Sequence, residues 1–242
     1  FLVGEMGAGK TIMSLAVAAL DPKPAKRILI QCPGHLVRKW IREAEATLPG
    51  CTCINLNGRD MSLLLDHKHN PAKPRGTEIW VLGKERAKLH YQRKPGLMVR
   101  QGATCCPDCG AQVFLNQSDP APVCEHCQAR MWSADGGRNR RYAKAEFIKR
   151  YLPKGFFDLV ILDEVHELKG GGTAQGQAMS CLIARSRKVL ALKGTLMGGY
   201  GRDLFYLLWR MFPRQMAQAG FEYGRTLGFA ERYGVVERTY KA

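Results

Sequence analysis

This 242-residue sequence has no apolar run approaching the roughly 20 residues that cross a membrane. Its first residues also lack the basic flank and small-residue cleavage site of a secretion signal. Neither a membrane partner nor export is indicated, so a cytoplasmic protein is expected. There is no internal repeat and no low-complexity tract, which sets aside solenoid and tail-like architectures. Acidic residues are scarce: 21 Asp and Glu stand against 37 Lys and Arg, a net charge of +16. The basic excess recurs in stretches such as Lys84, Arg86, Lys88, Arg93, Lys94 and Arg138, Arg140, Arg141, Lys144. A polyanionic partner follows, nucleic acid first; the competing reading is a solvated basic surface.

What is present is enough apolar material, 45% of residues, for one large core or two small ones. Short apolar and often β-branched runs at residues 1–3, 27–31, 51–56, 78–82, 157–162 and 188–192 read as buried strands of a parallel sheet. Between them lie helical patterns at 10–20, 34–48, 141–152, 174–185 and 202–211. In the second of these, Leu36, Val37, Trp40, Ile41, Ala44 and Leu48 share one face, leaving Arg38, Lys39, Arg42 and Glu43 for solvent or a ligand. Alternation of strand and helix predicts an α/β fold with helices on both faces of the sheet. Residues 57–77 read as a long connection. Residues 101–139 break the rhythm and form a candidate inserted module, leaving 1–100 and 140–242 for the main lobe.

The stretch FLVGEMGAGKT fits the pattern G-x-x-x-x-G-K-[ST], directly after an apolar strand and directly before a helix. Glycines at Gly4, Gly7 and Gly9 let the backbone N–H groups of Glu5, Met6, Ala8 and their neighbours face an anion, and the following helix N-terminus adds its dipole. Lys10 would reach the β and γ phosphates and the Thr11 hydroxyl would ligate Mg²⁺. Further along, a continuous apolar strand ends in Asp163, Glu164, Val165, His166. Acidic groups at the carboxyl end of a buried strand lie where ligands bind in open α/β sheets. Asp163 is suited to hold Mg²⁺, and Glu164 to orient and polarise an attacking water.

Nine cysteines would suggest disulfides, but five fall from Cys105 to Cys127, four of them in two C-x2-C pairs. Cys106, Cys109, Cys124 and Cys127 are spaced as C-x2-C, fourteen residues, C-x2-C, which matches a tetrahedral structural Zn²⁺ site, with Gly110 giving the tight turn after the first pair. Cys105 can substitute for Cys106 and His126 can displace a cysteine; a redox pair or an iron–sulfur cluster is the rival chemistry. A segment of this size cannot build an adequate core, so metal would hold it together. Trp132 and Phe114 are expected to pack under the ribbon, with stacking on bases as the alternative, and Cys32, Cys51, Cys53 and Cys181 to be core residues.

GEMGAGKT, ILIQCPGHLVRKWIREAEATLP, DEVHELKG and LKGTLMGGYGRDLFYLLWRMFP, in that order, resemble motifs I, Ia, II and III of superfamily 2 helicases. The branch they resemble is the Swi/Snf-like translocases of double-stranded DNA, and EIWVLGKERAKL is similar to the Ib region. The resemblance implies a P-loop, RecA-like first motor lobe that binds ATP with Mg²⁺, acts on DNA and carries an inserted zinc ribbon. It implies contact with the nucleic-acid backbone at Pro33, Gly34 and His35, with the basic helix face of Arg38 and Lys39 nearby. His166 and Thr195 would link nucleotide state to that grip. Val165 stands where the family has Ala, and the third motif lacks the family's usual Ser or Thr before Gly194 and Pro after Thr195.

Motors of this kind close nucleotide between two RecA-like lobes, the second supplying arginine fingers. The chain after Leu196 is far shorter than a typical domain of about 100 residues, and no Met precedes Phe1. A partial motor is therefore expected, one that turns ATP over only when a second lobe completes it. Two alternative readings stay open: a P-loop NTPase that does not act on nucleic acid, and a non-catalytic zinc-ribbon module that binds it.

Overall fold

The computed structural model describes residues 1–58, 61–88, 93–95, 97–114, 123–129, 131–134, 143–168, 172–194 and 201–234. In chain order the strands are β1 (Leu2–Val3), β2 (Arg27–Cys32), β3 (Thr52–Asn55), β4 (Glu78–Gly83), β5 (Arg93–Pro95), β6 (Met98–Arg100), β7 (Ala103–Cys105), β8 (Trp132–Ala134), β9 (Phe157–Leu162) and β10 (Ser186–Lys193). The helices are α1 (Lys10–Leu20), α2 (Val37–Thr47), α3 (Ser62–His69), the single turn α4 (Lys84–Ala87), α5 (Lys144–Tyr151), α6 (Ala174–Ile183), α7 (Gly201–Met211), α8 (Pro213–Gln218) and α9 (Thr226–Tyr233). Among the described residues no helix is long and apolar enough to cross a membrane.

Six strands form one parallel sheet in the order β1-β10-β9-β2-β4-β3. Parallel strands need crossovers, which cover both faces with helices, so the central strands bury every residue or nearly so. All six residues of β2 are buried. On one side Leu29, Val160 and Leu162 pack with Phe147 and Ile148 of α5, Met179 and Leu182 of α6, and Leu207 of α7. On the other, Ile28, Ile30 and Ile161 pack with Leu15 and Ala18 of α1 and with Val37, Trp40 and Ala44 of α2. The expected α/β architecture is thus present, with the apolar face of the second helix turned to the sheet as its periodicity requires.

Two local readings change. The helix expected from Gly34 begins as a 3₁₀ turn, Gly34–Leu36, and becomes α-helical at Val37. The stretch read as a plain connection contains α3. Its three consecutive leucines carry no helical periodicity, and the flanking charges and prolines hide it. Tertiary burial stabilises it: Leu64 enters the core, and the His67 ring sits 5.3 Å from Trp80 and 5.1 Å from Phe156. The same aromatic group receives Arg27, whose guanidinium lies 4.0 Å from the Phe156 ring centre while its Nε donates to Glu78.

Beyond the sheet, Phe205 and Trp209 on α7 pack with Met216, Phe221 and Phe229 as a satellite helical core. The opposite face of α7 sends Arg210 inward, where Nη1 donates to the Leu168 carbonyl at 2.8 Å. This arginine runs over Gly176 of α6: a Cβ there would lie 2.4 Å from the guanidinium carbon. Gly176→Ala is expected to destabilise by about 1–3 kcal/mol through this overpacking, measured as a lowered denaturation midpoint. Burial, then the Arg27 charge, hold the His67 imidazole below its ordinary 6.5. The unfolded chain therefore takes up the proton first, so this contribution to stability is full above about pH 6.5 and falls as the pH drops through it. Melting temperature should decline between about pH 7 and pH 5, and His67→Leu should flatten that slope.

Candidate functional site

The phosphate-loop segment leaves β1 at Val3 and enters α1 at Lys10. Gly7 and Gly9 adopt left-handed backbones at φ 85° and 75°, which glycine accepts without the Cβ clash. Nothing lies within 4 Å of where their Cβ atoms would be, so the loop is open on that side. Lys10 Nζ donates to the Gly4 and Glu5 carbonyls at 2.7 and 2.8 Å, folding the ammonium over its own loop. Those carbonyls occupy the donors that a phosphate would otherwise take, and the exchange requires only a side-chain rotation. Gly4 N–H donates to Lys193 O at 3.1 Å, tying the loop's first residue to the end of β10.

The acidic turn follows β9. Asp163 N–H donates to Gln31 O at 2.8 Å, continuing the β2–β9 ladder one residue beyond the strand. The Asp163 side chain is buried, and each carboxylate oxygen meets a donor: Trp40 Nε1 at 3.0 Å on Oδ2, and Glu164 N–H at 2.9 Å on Oδ1. Glu164 has φ +46°, a left-handed backbone that is uncommon away from glycine. Its Oε2 lies 3.1 Å from His166 Nδ1. The loop at Gly4 to Lys10 and the turn at Asp163 to His166 therefore emerge from the same end of the sheet, with β10 between their strands. Two strand spacings put the strand ends from which they leave about 10 Å apart. An aspartate carboxylate and a threonine hydroxyl are oxygen donors of the type Mg²⁺ takes.

Beside this edge, the Pro33–Leu36 segment closes β2. Pro33 is buried, Gly34 is half-buried, and His35, Arg38 and Lys39 are exposed; Lys39 pairs with Glu43 at 3.5 Å. Thr195 lies outside the described residues, as do Arg138, Arg140 and Arg141. Two contacts went unread in the sequence. Trp40 appeared only as an apolar-face residue, and its indole N–H is invisible to periodicity. Lys84 appeared only as a basic surface residue, yet it is wholly buried.

The four cysteines converge. Cys106, Cys109, Cys124 and Cys127 place their sulfurs within 4.8 Å of one another. Two matching turns make this possible. Gly110 N–H donates to Cys106 O and Gln128 N–H to Cys124 O, with φ of 77° and 60°. Gln128 thus performs in the second pair the turn that Gly110 performs in the first. The Ala111 N–H, aided by the neighbouring thiols, holds the Cys109 thiol down at about 6, whereas burial pushes Cys106 and Cys127 up. Cys105 bonds to Ala103 O instead of joining the set. Val113 packs against the cluster, which turns the next residue, Phe114, out to 86% exposure; the expected packing of Phe114 under the ribbon is not found. The flanking strands β5 and β8 pair antiparallel. Asp108 anchors the cluster to the lobe through Lys149 at 3.2 Å and, by its carbonyl, Lys154 at 2.7 Å.

No family model matches the sequence. The chain is 22% identical over 229 residues to the mouse (Mus musculus) DNA annealing helicase and endonuclease ZRANB3, covering 95% of this chain and 15% of that protein. Its fold is similar to the Sulfolobus solfataricus SWI2/SNF2 ATPase core solved in complex with dsDNA, with TM-score 0.52 and 16% identity, over 89% of this chain and 31% of that one. This chain therefore spans less than a third of either relative. The parallel sheet with helices on both faces is the RecA-like α/β fold of that core, and both similarities run along nearly the whole of this chain.

Four thiols in this geometry fit a tetrahedral metal site, and elemental analysis is expected to find about one zinc per chain. Cys124→Ser should abolish it and increase proteolysis between residues 97 and 134 while the main unfolding transition survives. Iron in place of zinc, or full occupancy in the variant, would refute the assignment.

Proposed function

We propose that this Swi/Snf-like superfamily 2 chain is the ATP-binding first lobe of a motor that translocates on double-stranded DNA. One observation carries the reading: a glycine-rich phosphate loop and an acidic turn leave the same end of one parallel sheet, a single strand apart. The names of the two relatives, a DNA annealing helicase and an ATPase core in complex with dsDNA, favour DNA as the partner. The net charge of +16 agrees.

In this reading Gly4 to Gly9 cradle the phosphates with backbone N–H groups, and Lys10 leaves its own carbonyls for the β and γ phosphates. Thr11 and Asp163 would hold Mg²⁺, whose charge would offset that of the phosphates. Glu164 accepts a proton from a water as its oxygen bonds to the γ phosphorus. The bond from that phosphorus to the β–γ bridging oxygen breaks, leaving ADP and inorganic phosphate. His166, whose Nδ1 lies 3.1 Å from Glu164 Oε2, and Thr195 are the proposed links to nucleic acid. Pro33, Gly34, His35, Arg38 and Lys39 are its proposed contacts. A second RecA-like lobe is proposed to close the nucleotide, and the ribbon of residues 101–139 to serve as a zinc-held insertion.

Lys10→Ala should remove nucleotide binding, measured by fluorescent ATP-analogue titration. Glu164→Gln should leave ATP bound and cut DNA-stimulated turnover by at least about 100-fold in the full-length protein. Duplex binding should weaken steeply with salt and depend little on sequence, with Arg38→Ala plus Lys39→Ala lowering the slope by about 2 if both contact phosphate. ATPase activity indifferent to DNA would favour the NTPase that does not act on nucleic acid.

A further inference from the structure

Lys84 is a fully buried cation that the proposed chemistry leaves unassigned. It is the first residue of α4, immediately after β4, and its Nζ crosses to the acidic turn. There it donates to the Glu164 carbonyl at 2.8 Å and pairs with Glu167 Oε2 at 2.9 Å. A lysine with no exposed side-chain surface is costly unless its charge is paired and its N–H groups are bonded. The acceptors it has found belong to one four-residue segment.

The carbonyl it binds belongs to the residue with the least comfortable backbone in that segment. Glu164 holds φ +46°, a conformation that costs a residue with a Cβ on the order of 1–2 kcal/mol and persists only when surrounding contacts impose it. The Glu164 carbonyl also receives the Glu167 N–H at 3.1 Å, and its own N–H is taken by Asp163 Oδ1. The peptide is therefore pinned on both sides, and its φ and ψ decide where the Glu164 carboxylate points.

The other end of Lys84 sits where β4 meets the closing segment of β2. A Cβ on Gly83 would lie 3.2 Å from Gly34 Cα and 2.4 Å from Asn57 Oδ1, and one on Gly34 would lie 3.1 Å from Glu85 Oε2. The Gly34 and Gly83 backbones therefore run too close together for a side chain at Gly83, and Lys84 is the next residue along.

We propose that Lys84 is a positioning residue that aims Glu164 at the attacking water, and that contact of DNA with the Gly34 segment stimulates hydrolysis through it. The inference rests on the proposed role of Glu164. The test is steady-state ATPase of the full-length protein with and without duplex DNA, for Lys84→Met, Lys84→Arg, Glu164→Gln and the double variant Lys84→Met with Glu164→Gln.

Lys84→Met is expected to lower DNA-stimulated kcat by about 10- to 100-fold, the scale of loss when a reacting group is misplaced by about 1 Å. The KM for ATP and the affinity for DNA should stay within about twofold, because neither ligand touches Lys84. Lys84→Arg, which keeps the charge and the donors, should recover part of the loss. In the Glu164→Gln background Lys84→Met should add nothing, since both act through one carboxylate. A purely structural lysine would instead lower melting temperature and all parameters together, with losses that multiply in the double variant, and that result overturns the proposal. So does normal kcat in Lys84→Met beside a dead Glu164→Gln. Full turnover in Glu164→Gln overturns the reading of Glu164 and this inference with it. If Lys84→Met fails to fold, Lys84→Gln, which keeps a neutral donor, carries the same comparison.

Discussion

A buried carboxylate must be met by donors, and the Asp163 side chain meets two, while its backbone N–H is itself a donor to the neighbouring strand. Its backbone N–H extends the β2–β9 ladder to Gln31, its Oδ1 takes the Glu164 N–H, and its Oδ2 takes the Trp40 indole. Leaving any of these unpaired at that depth would cost about 1–3 kcal/mol or more for a charged group. The end of β9, the start of the acidic turn and the orientation of α2 are therefore determined together. Since α2 follows the Pro33–Leu36 segment, the proposed nucleic-acid edge and the proposed metal ligand share one hydrogen bond.

The parallel sheet supplies the rest of the geometry. Every crossover brings a new strand in the same direction, so the carboxyl ends of β1, β2, β4, β9 and β10 open on one edge. The phosphate loop, the Gly34 segment, the Gly83–Lys84 step and the acidic turn are the connections that leave that edge. Their proximity follows from topology, and their chemistry from the few polar side chains placed there. The cysteine cluster obeys a different rule. Its buried set is Cys106, Cys124 and Met131, too small a core to stand on apolar burial, so convergent thiols and the Asp108 contacts to Lys149 and Lys154 hold it in place.

Motifs with compulsory spacing were legible in the sequence. Two C-x2-C pairs predicted a four-sulfur cluster, and the sulfurs converge. G-x-x-x-x-G-K-T predicted a glycine-rich turn between a strand and a helix, and the segment leaves β1 at Val3 and enters α1 at Lys10. Features set by burial were less legible. Helix α3 escaped because consecutive leucines have no period and its stability comes from the Trp80 and Phe156 rings. Phe114 was assigned inward on hydrophobicity, but alternation along an extended segment gave the inner position to Val113. Gln128 takes a glycine-like backbone that its residue type does not announce.

By itself the sequence determined the class of fold, the six strands of the main sheet, and where the glycine-rich loop, the acidic turn and the cysteine pairs fall along it, because each depends on local periodicity or short-range spacing. Only the tertiary structure decided which side chains hold those groups in place. Trp40 lies 123 residues from Asp163 and Lys84 lies 80 from Glu164. Trp40 was expected to pack and Lys84 to face a polyanion or solvent, and both became hydrogen-bond donors because the strand order β9-β2-β4 sets their ends beside the acidic turn. A contact of that kind has no signature along the chain: it exists when a parallel sheet brings distant strand ends to one edge and burial forces each polar atom there to find a partner.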